Sequence, residues 1–233
     1  MTMNRKEQTQ PQAGRRMMIG SAVVGGIALL AGGALWLRGG GGKAGNGLSS
    51  IPVTNGPSDE FPYKVLKPGP GDIAPPIVLN TTAGAAYDLH VLLGTSVLVY
   101  FQEGLMCDAC WVQLRDIETN FNRLRLLGIT SMVTITTDPL DLLAQKVRNG
   151  GYTTPVCADP TVRVSEAYNA NHDSMMGGTH YDAHTFVIVG PDGLIRWRAD
   201  YGGAPGYNMY VPVPQLVADM TKGLSVGPAA RAS

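Results

Sequence analysis

Ser96-Val97-Leu98-Val99-Tyr100-Phe101-Gln102-Glu103-Gly104-Leu105-Met106-Cys107-Asp108-Ala109-Cys110 decides how this chain is read. The run Ser96–Phe101 is compact and apolar, which suits a strand covered on both faces, as in a parallel sheet. Beyond the second cysteine, Leu114, Ile117, Phe121, Leu124 and Leu127 recur at three- and four-residue intervals. They form one stripe of a helix expected over Trp111–Leu127, with Arg115, Glu118, Asn122 and Arg125 mostly off it and Gly128 as its C-cap. The two cysteines therefore fall in a strand-to-helix turn, at or just before a helix N-terminus. Unpaired N–H groups and the positive end of the helix dipole stabilise a thiolate there. The thiolate is the reactive form of cysteine, and a two-residue spacer lets a second thiol reach the first.

Working outward, strands alternate with helices. Upstream, Gly71–Pro76 is turn-rich, Ile77–Leu79 is a short strand, and Tyr87–Leu93 is a leucine-rich segment stopped by Gly94. Downstream, Ile129–Thr136 reads as a strand ending near Asp138-Pro139, and Leu140–Val147 as a helix ended by Asn149-Gly150-Gly151. Pro155–Ala158 is a short apolar run, Val162–Tyr168 a helix, and Thr185–Val189 a strong strand. Gly190-Pro191-Asp192-Gly193 turns the chain into a returning strand, Leu194–Arg198, and Val213–Leu224 is a closing helix. This order predicts an α/β fold with a mostly parallel sheet and an antiparallel edge. In such sheets sites form at the carboxyl ends of strands, where Cys107, Asp138 and Cys157 could all lie.

The opening Gly71-Asp72-Ile73-Ala74-Pro75, the leucine-rich segment ending in glycine, the strand and the Cys-x-x-Cys that opens a helix come in a recognisable order. With Cys157-Ala158-Asp159-Pro160 and Pro191-Asp192-Gly193 after them, the chain from about Gly71 to Leu224 resembles the thioredoxin-like redoxin family. That family comprises alkyl hydroperoxide reductases, thiol-specific antioxidant proteins and extracytoplasmic thiol–disulfide oxidoreductases; the resemblance is to a membrane-anchored bacterial member. It implies a thioredoxin-like three-layer sandwich around a central mixed sheet, and a redox-active disulfide. It implies an oxidoreductase acting on a protein disulfide or a hydroperoxide, with no cofactor. The chain departs from the family's patterns in two ways. The proline and threonine of a peroxidatic Pro-x-x-x-Thr-x-x-Cys are Tyr100 and Gly104 here, and the usual proline before the later strand is Ala183.

The N-terminal part has a different character. Met17–Leu37 carries no charge and exceeds the about 20 residues that a helix needs to cross a bilayer. Trp36 stands at one end, and Arg15-Arg16 precede the run. Basic residues on the N-terminal side favour a cytoplasmic N-terminus and an extracytoplasmic domain. The expected organisation is a cytoplasmic tail over 1–16, a transmembrane signal-anchor over 17–37, a flexible linker over 38–70, the redoxin domain over 71–224 and a tail over 225–233. A cleaved secretory or twin-arginine signal and a buried core helix are the competing readings of 17–37. The anchor would hold the domain at the cell membrane, within reach of a membrane-protein partner. In 233 residues, Lys+Arg and Asp+Glu are both 18, so no basic field exists to bind nucleic acid. Three cysteines are too few for a disulfide scaffold.

Within this frame Cys107 is the candidate nucleophile and Cys110 the resolving thiol. A zinc half-site would need two more ligands, and only Cys157 and four histidines remain to supply them. Cys157 is either a small buried hydrophobe or an alternative resolving thiol. Glu103 is either a proton acceptor or a solvated loop charge. Trp111 either shields the dithiol and guides docking or simply packs. The alternative function is a copper-binding assembly module for a membrane enzyme. Its ligands would be Cys107, Cys110, Met175, Met176, His180 and His184, since thioether and imidazole suit copper.

Overall fold

The computed structural model describes residues 60–225. The expected tail 1–16, signal-anchor 17–37, linker residues 38–59 and tail residues 226–233 lie outside them. Among the described residues no helix is long and apolar enough to cross a membrane.

Seven strands form one sheet: β1 (Val78–Thr81), β2 (Ala86–Asp88), β3 (Ser96–Phe101), β4 (Ile129–Thr136), β5 (Val156–Ala158), β6 (Thr185–Val189) and β7 (Ile195–Asp200). Their order is β2-β1-β5-β4-β3-β6-β7. The three central strands β5, β4 and β3 are parallel. On one side β6 and β7 add antiparallel strands, and on the other β1 and β2 do the same. The sheet is therefore mixed, with a shorter parallel part than the alternation predicts. The Gly190–Gly193 turn makes β6 and β7 a hairpin, closed by the Gly193 N–H donating to the Gly190 carbonyl at 3.0 Å.

Helices α1 (Asp108–Thr119), α2 (Phe121–Arg125), α3 (Leu140–Gly150), α4 (Arg163–Ala167) and α5 (Val213–Ser225) complete the described fold. The two-residue period of β3 divides the core. Leu98 and Tyr100 join Trp111, Leu114 and Ile117 of α1, Leu143 of α3 and Leu216 and Met220 of α5. Val97, Val99 and Phe101 face the other way, toward Ile77, Leu89, Val164 and Tyr168. β3 is thus apolar on both faces because helices or loops cover both.

The helix expected over Trp111–Leu127 is two helices. Asn120 interrupts it by donating its side-chain amide to the Asp116 carbonyl at 2.9 Å, in competition with the backbone ladder. The apolar stripe survives the break, since Leu124 stays buried and Phe121 and Leu127 pack against the same cluster.

Residues 60–70, the end of the expected linker, hold the apolar cluster Phe61–Leu66, and they are tied to the domain. Phe61 and Tyr63 pack on the α1-side core, and Lys64 and Asp200 exchange backbone hydrogen bonds. The Leu66 N–H donates to the Asp200 carboxylate at 2.9 Å. That carboxylate is held by Arg198, whose guanidinium is fully buried and also donates to the carbonyls of Pro68, Tyr168 and Asn169. One buried ion pair thus joins the N-terminal segment, β7 and the loop after α4. Arg198→Ala leaves a buried carboxylate uncompensated, and it is expected to destabilise the full chain by about 3–5 kcal/mol in urea unfolding. A loss under about 1 kcal/mol would contradict this placement of the pair.

Candidate active site

The backbone leaves β3 at Phe101 and reaches α1 through a single 3-10 turn, Gly104–Met106. Two side chains pin that turn. The Asp138 carboxylate, just beyond β4, accepts the Leu105 N–H at 2.7 Å and the Thr136 hydroxyl at 2.9 Å. The Trp111 indole N–H donates to the Gly104 carbonyl at 2.9 Å. Gly104 has φ +86°, and a Cβ there would run into the Asp138 carboxylate and the Thr136 hydroxyl. The position of the peroxidatic threonine is therefore closed to any side chain in this turn.

Cys107 is the N-cap of α1, and its sulfur accepts the Cys110 N–H at 3.2 Å. A disulfide joins Cys107 to Cys110, with Cα atoms 5.3 Å apart. The two sulfurs are not equivalent. Cys107 retains 7% exposure and Cys110 has none. Cys107 is the less enclosed of the two, and Cys110 is wholly interior.

Beneath Cys110 lies a buried polar cluster that no sequence motif announced as a unit. The Tyr100 hydroxyl is 3.0 Å from His184 Nδ1 and 3.3 Å from the Cys110 carbonyl, and His184 Nδ1 is 3.9 Å from Cys110 Sγ. Burial pushes the His184 pKa down to about 3, so its imidazole is neutral at physiological pH. Burial first, and then the charge of Glu103, holds the Tyr100 phenol well above its ordinary value. Asp182, two residues before His184, is also fully buried. Burial, with neighbouring Asp159 and Asp138, holds its carboxyl well above the carboxylate range against the opposing Ser165 hydroxyl.

The remaining candidates fall into place on packing grounds. Glu103 is not a solvated loop charge, being only 3% exposed. Its carboxylate accepts the Ser174 hydroxyl at 3.1 Å and the N–H groups of Met175 and Met176, tying that loop to the start of the cysteine turn. Trp111 is buried; it packs against Tyr152 and holds the turn, so it presents no docking surface. Cys157 is on β5 between Val156 and Ala158. Those two point into the α1-side core, so the two-residue period sends Cys157 to the opposite face, among Val99, Ile135 and Tyr168. Burial pushes its thiol up to about 12. It packs as a buried hydrophobe on the face opposite α1. The copper donors are divided: Cys107 and Cys110 share a disulfide, His184 is buried, and Met175, Met176 and His180 are exposed. Among the described residues no group of three or more His, Cys, Asp or Glu side chains could hold a metal ion.

A cysteine pair capping a helix at the carboxyl edge of a central parallel strand, in a mixed sheet with helical cover, defines a thioredoxin-like thiol oxidoreductase. The sequence pattern of the AhpC/TSA family matches residues 70–198, and the chain belongs to that family. It is similar to the peroxiredoxin Bcp of Escherichia coli K12, with 28% identity over 128 residues, which is 54% of this chain and 81% of that protein. Its fold is similar to the crystal structure of the peroxidoxin BcpB from Mycobacterium tuberculosis. There the TM-score is 0.55 at 18% identity, covering 66% of this chain and 96% of that one. The crystal structure of Enterococcus faecalis AhpC is similar too, with a TM-score of 0.55 at 15% identity over 70% of this chain and 96% of that one.

Gly104→Thr would restore the threonine of the peroxidatic pattern. Because positive φ and the Asp138 carboxylate both oppose a side chain there, the variant is expected to lose about 2–4 kcal/mol of stability. It should gain no reactivity toward hydroperoxide. A variant as stable as the wild type in urea, measured on the oxidised chain, would show that the turn is not closed in this way.

Proposed function

We propose that this chain is a membrane-anchored, extracytoplasmic thiol–disulfide oxidoreductase whose redox couple is Cys107–Cys110. The observation that carries the reading is the inequality of the two cysteines, one capping a helix and the less enclosed, the other wholly buried. In the dithiol form the Cys107 thiolate attacks one sulfur of a partner disulfide, and the partner's other sulfur leaves as a thiolate. The Cys110 thiolate then attacks Cys107 Sγ, releasing the second partner sulfur and closing the internal disulfide. The reverse sequence oxidises a partner dithiol. The charge-free run Met17–Leu37 and its flanking basic residues support an anchored domain outside the membrane.

Relatives named as peroxiredoxins support hydroperoxide as a second substrate. Cys107 thiolate would attack the peroxide oxygen, an alcohol would leave, and the sulfenic acid at Cys107 would condense with the Cys110 thiol to release water and form the disulfide. The closed position at Gly104 weighs against a threonine-assisted peroxide step and favours disulfide exchange as the main reaction.

The test is thiol loss in the reduced full chain, in detergent, with a disulfide substrate and separately with hydroperoxide. Cys107→Ser should abolish both reactions. Cys110→Ser should leave the first attack intact and accumulate a mixed disulfide. Cys107→Ser reacting as fast as wild type with both substrates overturns the reading. The location is checked with a membrane-impermeant thiol reagent on intact cells bearing the reduced protein. Labelling of Cys107 without lysis is expected, and labelling only after lysis would place the domain on the other side.

A further inference from the structure

Breaking the disulfide leaves charge on a sulfur that water cannot reach. When an external thiolate attacks Sγ of Cys107, the less enclosed cysteine, a new sulfur–sulfur bond forms there, the bond to Cys110 breaks, and Cys110 departs as a thiolate. Electrons and atoms balance with no proton transferred. Cys110 is fully buried, so desolvation of that thiolate has to be offset by a protein group. The cysteine turn offers little, because the Cys110 N–H already points at Cys107 Sγ.

We infer that His184 is a further catalytic residue of this site, donating its Nδ1–H to the Cys110 sulfur as that sulfur takes up negative charge, with Tyr100 as the residue that fixes the tautomer. The inference rests on the redox couple proposed above. Nδ1 is the ring nitrogen nearest the thiol, at 3.9 Å from Cys110 Sγ. The phenol of Tyr100 stands between two partners, His184 Nδ1 at 3.0 Å and the Cys110 carbonyl at 3.3 Å. A phenol has one hydrogen, and a carbonyl can only accept. If the phenol donates to the carbonyl, Nδ1 must carry the proton and donate to the phenol oxygen. Both donors are then used, and the ring's other nitrogen, Nε2, is left as an unpartnered acceptor. In the opposite arrangement Nε2 carries the hydrogen, and Nε2 is buried without a hydrogen-bond partner. A buried orphan donor is the rarer and costlier case. Satisfying the donors therefore puts the hydrogen on Nδ1, where it rests against the phenol oxygen in the disulfide form and is shared with the Cys110 sulfur, 3.9 Å away, when that sulfur becomes anionic.

The ring is also held in place. It meets Tyr100 and Phe186 edge-on, each at 5.1 Å between centroids, and Tyr100 stacks on Phe186 at 4.4 Å. The His184 carbonyl accepts the Tyr201 N–H at 2.9 Å. In the disulfide form burial keeps the imidazole neutral, so it meets the developing charge as a hydrogen-bond donor. In the forward direction the same N–H favours the thiolate form of Cys110 as it attacks the mixed disulfide.

The experiment is the reduction of the oxidised full chain by dithiothreitol at fixed pH, followed by stopped flow, alongside the equilibrium reduction potential. His184→Ala is expected to slow reduction about tenfold or more, the effect of losing a hydrogen bond to a charged group. It should also make the potential more negative, because the reduced form loses its support. His184→Asn, whose side-chain N–H falls near the place of Nδ1–H, should recover most of the rate. Tyr100→Phe, which keeps the aromatic stack but releases the tautomer, should slow reduction about threefold to tenfold, less than His184→Ala. A merely structural role would make Asn no better than Ala. His184→Ala reacting like wild type, or Asn as slow as Ala in a folded chain, overturns the inference and leaves the redox couple standing. A wild-type disulfide that dithiothreitol does not reduce would instead bring down the redox couple itself.

Discussion

The turn between β3 and α1 is the constraint on which the site depends. Its backbone is held from the β4 side by Asp138 and from the α1 side by Trp111, and Gly104 passes between them with no room for a side chain. Because both anchors come from elements packed on the same sheet, the turn cannot shift without disturbing the core. That rigidity sets where α1 begins, and so makes Cys107 the helix cap and sends Cys110 inward. The geometry that excludes a threonine is the same geometry that orients the disulfide.

The second consequence is electrical asymmetry. Cys107 sits at the positive end of α1, partly open to solvent, while Cys110 is enclosed by Tyr100 and His184. Exposed and buried sulfurs in one bond have unequal leaving tendencies unless the interior supplies a donor. The aromatic stack of Tyr100, Phe186 and His184 provides a fixed frame for one. Glu103 extends the same cluster outward, since its buried carboxylate collects donors from the loop that carries Ser174, Met175 and Met176.

The local elements were legible where periodicity was strong. Ile129–Thr136 and Thr185–Val189 are strands over the very residues expected, because runs rich in β-branched residues and bounded by turn residues leave few alternatives. The break at Asn120 was not legible, since the apolar stripe continues across it and only the amide's competition for the Asp116 carbonyl reveals it. Glu103 was misjudged because a charged residue in a loop is ordinarily solvated. What buries it is a segment about 70 residues later, and no local pattern encodes that contact. Cys157 could have been assigned from sequence, since Val156 and Ala158 flank it on a short strand and the strand period places it on the opposite face.

By itself the sequence determined the fold class, the strand-to-helix setting of Cys107 and Cys110 and the absence of the peroxidatic threonine. These are properties of neighbouring residues: side-chain period, turn residues and the spacing of two thiols. Only the tertiary structure decided which of Cys107 and Cys110 is the less enclosed, and that His184 stands against Cys110 rather than with the methionines. The placement of His184 depends on the antiparallel pairing of β6 with β3, where Tyr100 opposes Phe186 and Phe101 opposes Thr185. That register carries His184, the residue before Thr185, to the end of β3 beside the cysteine turn. It is set by how two strands distant in the chain share one buried face, and spacing along the chain does not reveal it.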